Sequence, residues 1–264
     1  MANKSDQQCK SELMLSGLDG SNPLGFLAAL GVHQTLGQHY PKENILMRWT
    51  QCGGVWLPVL INNPVGVDVF CENLEEILQG LSREPFQIEN KLPFDVSKFR
   101  KNALDFMNQG NQSDRRNLDI LAGFGSDAIA NKDGIFQDTK LRMIRAGDSV
   151  GNGFPAYSLS ICEETGALDL QRTLFRNWDY SDKGTSLRID PNEDRQYALR
   201  GGDPSKESTL SMRGANRLAI EAMALMYTAP SGKSLGTAGF TELGKKCVYW
   251  TWPIWKYPIS INTA

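Results

Sequence analysis

Two stretches of the chain share the string Gly-x-Asn-x-Leu followed by an apolar helical run: Gly20-Ser21-Asn22-Pro23-Leu24-Gly25-Phe26-Leu27-Ala28 and Gly214-Ala215-Asn216-Arg217-Leu218-Ala219-Ile220-Glu221-Ala222. Asparagine is a favoured N-cap because its side-chain oxygen accepts from an otherwise unpaired amide of the first turn. Proline suits the first helical position, where no amide bond is lost. Asn22 and Asn216 are therefore read as the caps of two buried helices. The same geometry aims backbone amides beyond the helix end, where an anion such as a phosphate can sit, although plain capping is the commoner use of such a start.

Around these helices the pattern alternates. Leu13-Met14-Leu15 reads as a short strand, Pro23 to about Leu36 as a helix, and Ile45–Trp49 with Val55–Leu60 as a hairpin around Gln51-Cys52-Gly53-Gly54. Val69, Leu74, Ile77, Leu78 and Leu81 mark the face of a second helix, and Ser97 is read as the cap of a third carrying Phe99, Ala103, Phe106 and Met107. Residues 108–114 read as a polar surface loop, and Leu118–Gly125 as an apolar segment that periodicity alone leaves open between strand and helix. The expected architecture is α+β: a mixed sheet with packed helices and a helical middle region, one compact domain over residues 1–264 with any subdivision near 108–117.

A chain of 264 residues with 41% hydrophobic side chains has enough apolar matter for a sizeable core. It contains neither an apolar run of bilayer length nor a signal-peptide pattern at Met1–Gln8, so the expected setting is the cytoplasm, away from membranes. Five scattered cysteines fit reduced thiols better than a disulfide framework or a zinc site. The glycines of Gly147–Pro155 match neither the dinucleotide nor the phosphate-loop spacing, and the neighbouring Arg142 and Arg145 are at most backbone contacts. No cofactor or metal is expected.

With 28 basic and 30 acidic residues the chain has no long-range field that would draw it onto nucleic acid. That disfavours a free-standing DNA-binding protein but leaves room for a subunit that touches nucleic acid with a few arginines. Arginines do gather between Trp178 and Arg217, where the side chain suits bidentate recognition of carboxylate or phosphate. Asp179, Asp182, Asp190, Glu193, Asp194 and Asp203 are interleaved with them, so internal ion pairs are the leading reading of many. Asp190, Glu193 and Asp194 lie in one short segment, whereas two-metal phosphodiester chemistry needs carboxylates converging from separate elements. His33 and His39, at or near the end of the first helix, form no catalytic doublet, and the serine-hydrolase elbow is absent. The aromatic run Tyr249–Tyr257 reads first as a late strand closing the core or meeting a subunit, and Glu221 as the partner of an arginine from the polar stretch.

Taken together, Leu18–Gly31, Ser186–Pro191, Asp194–Arg200, Gly214–Ala219 and Thr251–Trp255 resemble a small family found with type I-G (formerly I-U) CRISPR systems, described as an extension of the helicase-nuclease. The opening also resembles the start of the type I-G effector large subunit. The resemblance implies a non-catalytic component of antiviral defence, with effector subunits, crRNA or target DNA, and the helicase-nuclease as partners. In such a complex base pairing reads sequence while protein subunits read backbone shape. On this view Arg188, Arg195, Arg200, Arg213 and Arg217, with Asn216 and Asn22 at the helix starts, form a face for nucleic-acid backbone or an acidic partner. Two alternatives stay open. One is a pure protein-protein adaptor docking through Trp252 and Trp255; the other is a metal-dependent nuclease using Asp190 or Asp194.

Overall fold

The computed structural model describes residues 12–110, 112–141, 153–193, 210–243 and 247–264. The chain runs β1 (Glu12–Met14), α1 (Pro23–His39), β2 (Leu46–Cys52), β3 (Val55–Ile61), α2 (Phe70–Gln79), α3 (Glu84–Gln87), α4 (Val96–Gln109), α5 (Gln112–Phe124), β4 (Gly125–Ala130) and β5 (Phe136–Asp138). It continues through α6 (Phe154–Glu164), α7 (Ala167–Phe175), β6 (Asp182–Lys183), β7 (Leu210–Ser211), α8 (Arg213–Ala222), β8 (Thr228–Ser231), β9 (Ser234–Thr237), β10 (Phe240–Leu243), β11 (Cys247–Trp250) and β12 (Ile259–Ser260). The largest sheet has the order β1-β3-β2-β12, and the other strands pair as two-stranded ribbons. The α+β class is borne out. All described pairings are antiparallel, so the sheets are antiparallel where a mixed sheet was expected.

The β2–β3 hairpin turns at Gly53 and Gly54, with φ of 58° and 86°. A two-residue hairpin turn needs both residues left-handed, which glycine allows without steric cost. In β2 the inward side chains Met47 and Trp49 are buried while the tip is exposed. The antiparallel register sets Trp49 opposite Pro58 and Met47 opposite Leu60, placing these four on one face.

Helix α1 is buried without interruption from Leu24 to Leu36. A helix apolar around its whole circumference must be enclosed, and α8, buried from Gly214 to Ala222, encloses one side of it. The two backbones touch at Gly31: a Cβ there would fall on the carbonyl oxygen of Leu218. The C-terminal aromatics enclose another side. Phe26 of α1 packs among Trp49, Trp250, Trp252 and Trp255, at centroid distances of 6.0, 6.4, 5.8 and 6.4 Å.

Several local expectations change. The cap of α4 is Asp95, whose carboxylate accepts from the amides of Ser97 and Lys98, so the helix begins one residue before Ser97. Helix α4 is followed by the left-handed Gly110 and α5 begins at Gln112, where a polar surface loop over 108–114 was expected. The undecided segment 118–124 belongs to that helix, α5, whose Ile120, Leu121 and Phe124 enter the core. Strand β11 ends at Trp250, so Trp252 lies outside it. His33 sits inside α1, with Nε2 3.0 Å from the carbonyl of Ile45, and burial lowers its pKa. No helix among the described residues is long and apolar enough to cross a membrane.

Gly31→Ala should therefore destabilise the fold by about 2 kcal/mol or more through overpacking at a backbone contact. Gly66→Ala, at φ −63° with no atom within 4 Å of the added methyl, should be neutral or slightly stabilising. Urea midpoints of the two variants test the contrast.

Candidate functional site

The loops before α1 and before α8 meet in one polar junction. Asn22 caps α1 as its sequence implies: Oδ1 accepts from the amides of Leu24 at 2.8 Å and Gly25 at 3.2 Å. Its amide donates 2.9 Å to Asp190 Oδ1, tying the first motif to one 168 residues later. Asp190 is buried and fully engaged, accepting also from the Asn192 amide at 2.8 Å and from the Tyr180 hydroxyl at 2.7 Å. Burial and the Asp190 carboxylate both raise the Tyr180 pKa, so the phenol remains a donor.

Asn216 is not a cap. It lies inside α8, whose N-cap position is held by Met212 in extended conformation. Its carboxamide accepts 2.9 Å from the Leu187 amide and donates 3.0 Å to the Met212 carbonyl, pinning the Ser186–Pro191 segment to the helix. The N-terminal end of α8 is closed by Asp182, whose Oδ2 accepts from the Arg213 amide at 2.8 Å while Oδ1 accepts from Arg172 at 2.7 Å. Both helix starts thus have first-turn amides committed to side chains of the same chain, and the anion geometry considered above is already occupied by protein oxygens.

The arginines divide three ways. Arg217 is buried; it donates 2.6 Å to Glu221 and 3.0 Å to the Leu78 carbonyl, so it belongs to no outward face. Arg213, partly exposed, lies 3.5 Å from Glu164 and 3.8 Å from Asp169 and donates 3.2 Å to the Lys183 carbonyl. Arg188 is partly buried at φ 56° and already has a partner, and its amide donates 2.9 Å to Ser186. Arg195, Arg200, Arg142, Arg145 and Asp194 lie outside the described residues, as do Gly147–Asn152. An outward convergence of all five arginines is overturned by Arg217, whose guanidinium is buried against Glu221 and the Leu78 carbonyl.

Glu221 does pair with Arg217, as expected, and also with an arginine that no motif announced. Arg116 of α5 makes a two-pronged contact with it, both nitrogens at 2.7 Å, and donates 2.8 Å to the Ser82 carbonyl. Burial alone would raise the Glu221 pKa, but the two guanidinium groups outweigh it and hold the carboxyl well below the usual range. The only sequence hint of Arg116 was a charge one turn before an apolar run, which many solvent-facing arginines share.

Glu193 is the opposite case. It is buried, accepts 2.6 Å from the Ser186 hydroxyl, and has one oxygen without a hydrogen bond. Burial, reinforced by Asp190 and opposed by Ser186, Arg188 and Asn216, pushes its pKa up to about 7. Asp190 and Glu193 therefore act as hydrogen-bonding groups of the interior, and no cluster of three metal-ligating side chains occurs among the described residues. Trp252 and Trp255 also turn inward, their indole nitrogens donating 2.8 Å to the carbonyls of Gly20 and Met47.

Beside the junction opens a cleft of about 410 Å³, with Asp19, Asn22, Asn177, Trp178, Tyr180 and Asn192 among the residues that line it. Comparison of the chain with protein-family models, curated proteins and solved structures found no match.

A carboxyl with a raised pKa keeps in the fold a proton that the unfolded chain has released, so stability falls as pH rises from the usual carboxylate range through about 7. Glu193→Gln should relieve this. The variant is expected to exceed the parent in stability by up to about 3 kcal/mol at alkaline pH, with the difference vanishing in mild acid. Urea titrations across that pH range check it. In contrast, Glu221→Gln, which leaves two buried guanidinium groups short of a counter-charge, should cost about 3–5 kcal/mol at neutral pH.

Proposed function

We propose that this chain is a non-catalytic accessory protein of a type I CRISPR antiviral effector, joining the crRNA-guided complex to the nuclease that it recruits. One observation carries the reading: the segments that bear the family resemblance interlock with one another. Asn22 holds Asp190, Asn216 holds the amide of Leu187, and Trp252 holds the carbonyl of Gly20. Motif residues used in this way preserve a scaffold, and a scaffold is what a bridging subunit presents to its partners.

The nuclease alternative loses support because Asp190 has its oxygens occupied by Asn22, Asn192 and Tyr180. The adaptor alternative keeps its logic but loses its docking residues. Trp252 and Trp255 bury their ring nitrogens against the chain's own backbone, so their replacement would disturb the core before any interface. Backbone contact with nucleic acid, within the proposed role, falls to Arg188, Arg195 and Arg200, with Arg217 excluded by burial.

Tagged chain recovered from its native host, with identification of co-purified proteins and sequencing of bound RNA, is the direct test. Type I effector subunits, the helicase-nuclease and crRNA are the expected company; recovery of none of them overturns the proposal. Magnesium-dependent DNA cleavage by the purified chain would overturn its non-catalytic part. If phosphate is touched, alanine at Arg188, Arg195 and Arg200 together should reduce the slope of log affinity against log salt by about 2–3.

A further inference from the structure

A trough of about 620 Å³ opens where α7 passes the start of α2. Val67, Asp68 and Glu72 line it from the turn before α2 and its first residues, and Leu168, Gln171 and Phe175 from α7. Positions three and seven apart fall on one face of a helix, so the last three follow one face of α7 for about 10 Å, roughly two turns. Apolar side chains stand open to solvent there: Val67 is 63% exposed, Leu168 65%, and Val69, in the same turn as Val67, 56%. Below them Phe175, half-buried, meets Phe70 edge-on at 6.1 Å. Cys71 is buried and lines the trough as a neutral thiol, because burial and the Glu72 carboxylate push its pKa up to about 11. Single exposed apolar residues are ordinary, whereas several gathered at one concave surface mark a contact site.

The charge carried beside this apolar surface has one sign. From Val67 to Gln79 the sequence holds Asp68, Glu72, Glu75 and Glu76 and neither lysine nor arginine. None of these carboxylates forms an ion pair with a described residue, and Asp68 and Glu72, which line the trough, are exposed. The arginine of α7, Arg172, is committed to Asp169, Asp179 and Asp182. Unpaired carboxylates around exposed apolar side chains suit an occupant that brings apolar anchors and positive charge together. They repel phosphate, which disfavours nucleic acid and an anionic lipid surface at this place.

We infer that this trough docks a basic amphipathic helix of a partner protein, its apolar anchors seated on Val67, Leu168 and Phe175 and its lysines or arginines facing Asp68 and Glu72. Two turns along α7 match the spacing at which a helix presents such anchors, a few positions apart on one face. The inference goes beyond the accessory role proposed above and does not rest on it, since the trough belongs to the chain by itself.

Phage-displayed random peptides of about 16 residues, long enough for some four helical turns, selected on the immobilised full chain provide the test without presuming a sequence. The recovered peptides should be rich in lysine and arginine and carry apolar residues at helical spacing. In anisotropy titrations a synthetic copy of one of them should bind more weakly as salt rises. Leu168→Asp, and separately the pair Asp68→Lys and Glu72→Lys, should each weaken it about tenfold or more, with circular dichroism confirming an intact fold. Selection of acidic or uncharged sequences, failure to select any ligand, or titrations that neither set of substitutions changes would each overturn the assignment. Sedimentation of the chain without peptide tests the other occupant: a dimer that Leu168→Asp dissolves would give the trough to a second copy and overturn the partner helix. None of these results depends on whether effector subunits co-purify with the chain.

Discussion

The contact between α1 and α8 sets the terms for the rest of the molecule. Gly31 lets the backbone of α1 rest on the Leu218 carbonyl of α8, closer than any side chain would allow. At that crossing point no side chain fits between the two helices. On one flank Phe26 collects the C-terminal tryptophans, and on the other Arg217 and Glu221 are driven into the interior with Arg116. Enclosing charges is costly unless every one is paired and hydrogen-bonded. Glu221 alone cannot balance two guanidinium groups, and each of them also donates to a carbonyl, Arg217 to Leu78 and Arg116 to Ser82.

The same economy of partners runs through the described part of the polar stretch. Asp182 closes the end of α8 and pairs with Arg172; Asp190 receives Asn22 and Tyr180; Glu193 accepts from the Ser186 hydroxyl in a buried site that raises its pKa. Each carboxylate has a structural employment.

Much of the local structure was readable from residue order. The β2–β3 hairpin followed from two glycines between apolar runs, and α1 from Asn22 and Pro23 ahead of an apolar sequence. The pairing of Glu221 with an arginine followed from one acidic residue in the otherwise apolar run that follows Arg217. The second Asn motif misled because Gly-x-Asn-x-Leu is equally compatible with an asparagine one turn inside a helix, and only the position of the Leu187 amide separates the two. Arg116 was invisible for a related reason: its partner lies 105 residues away, and nothing local distinguishes it from its exposed neighbour Arg115.

Residue order, then, settled periodicity, turn chemistry and the α+β class, because these depend on neighbours a few positions apart. Which polar groups face solvent was settled by folding alone. Burial is a property of what arrives from elsewhere in the chain, and the same arginine is a surface charge or a core ion according to whether a distant carboxylate reaches it. Arg217 and Asn216, placed on an outward face by what the resemblance implies, are turned inward by the approach of α1, α5 and the Ser186–Pro191 segment, contacts that no window of sequence contains.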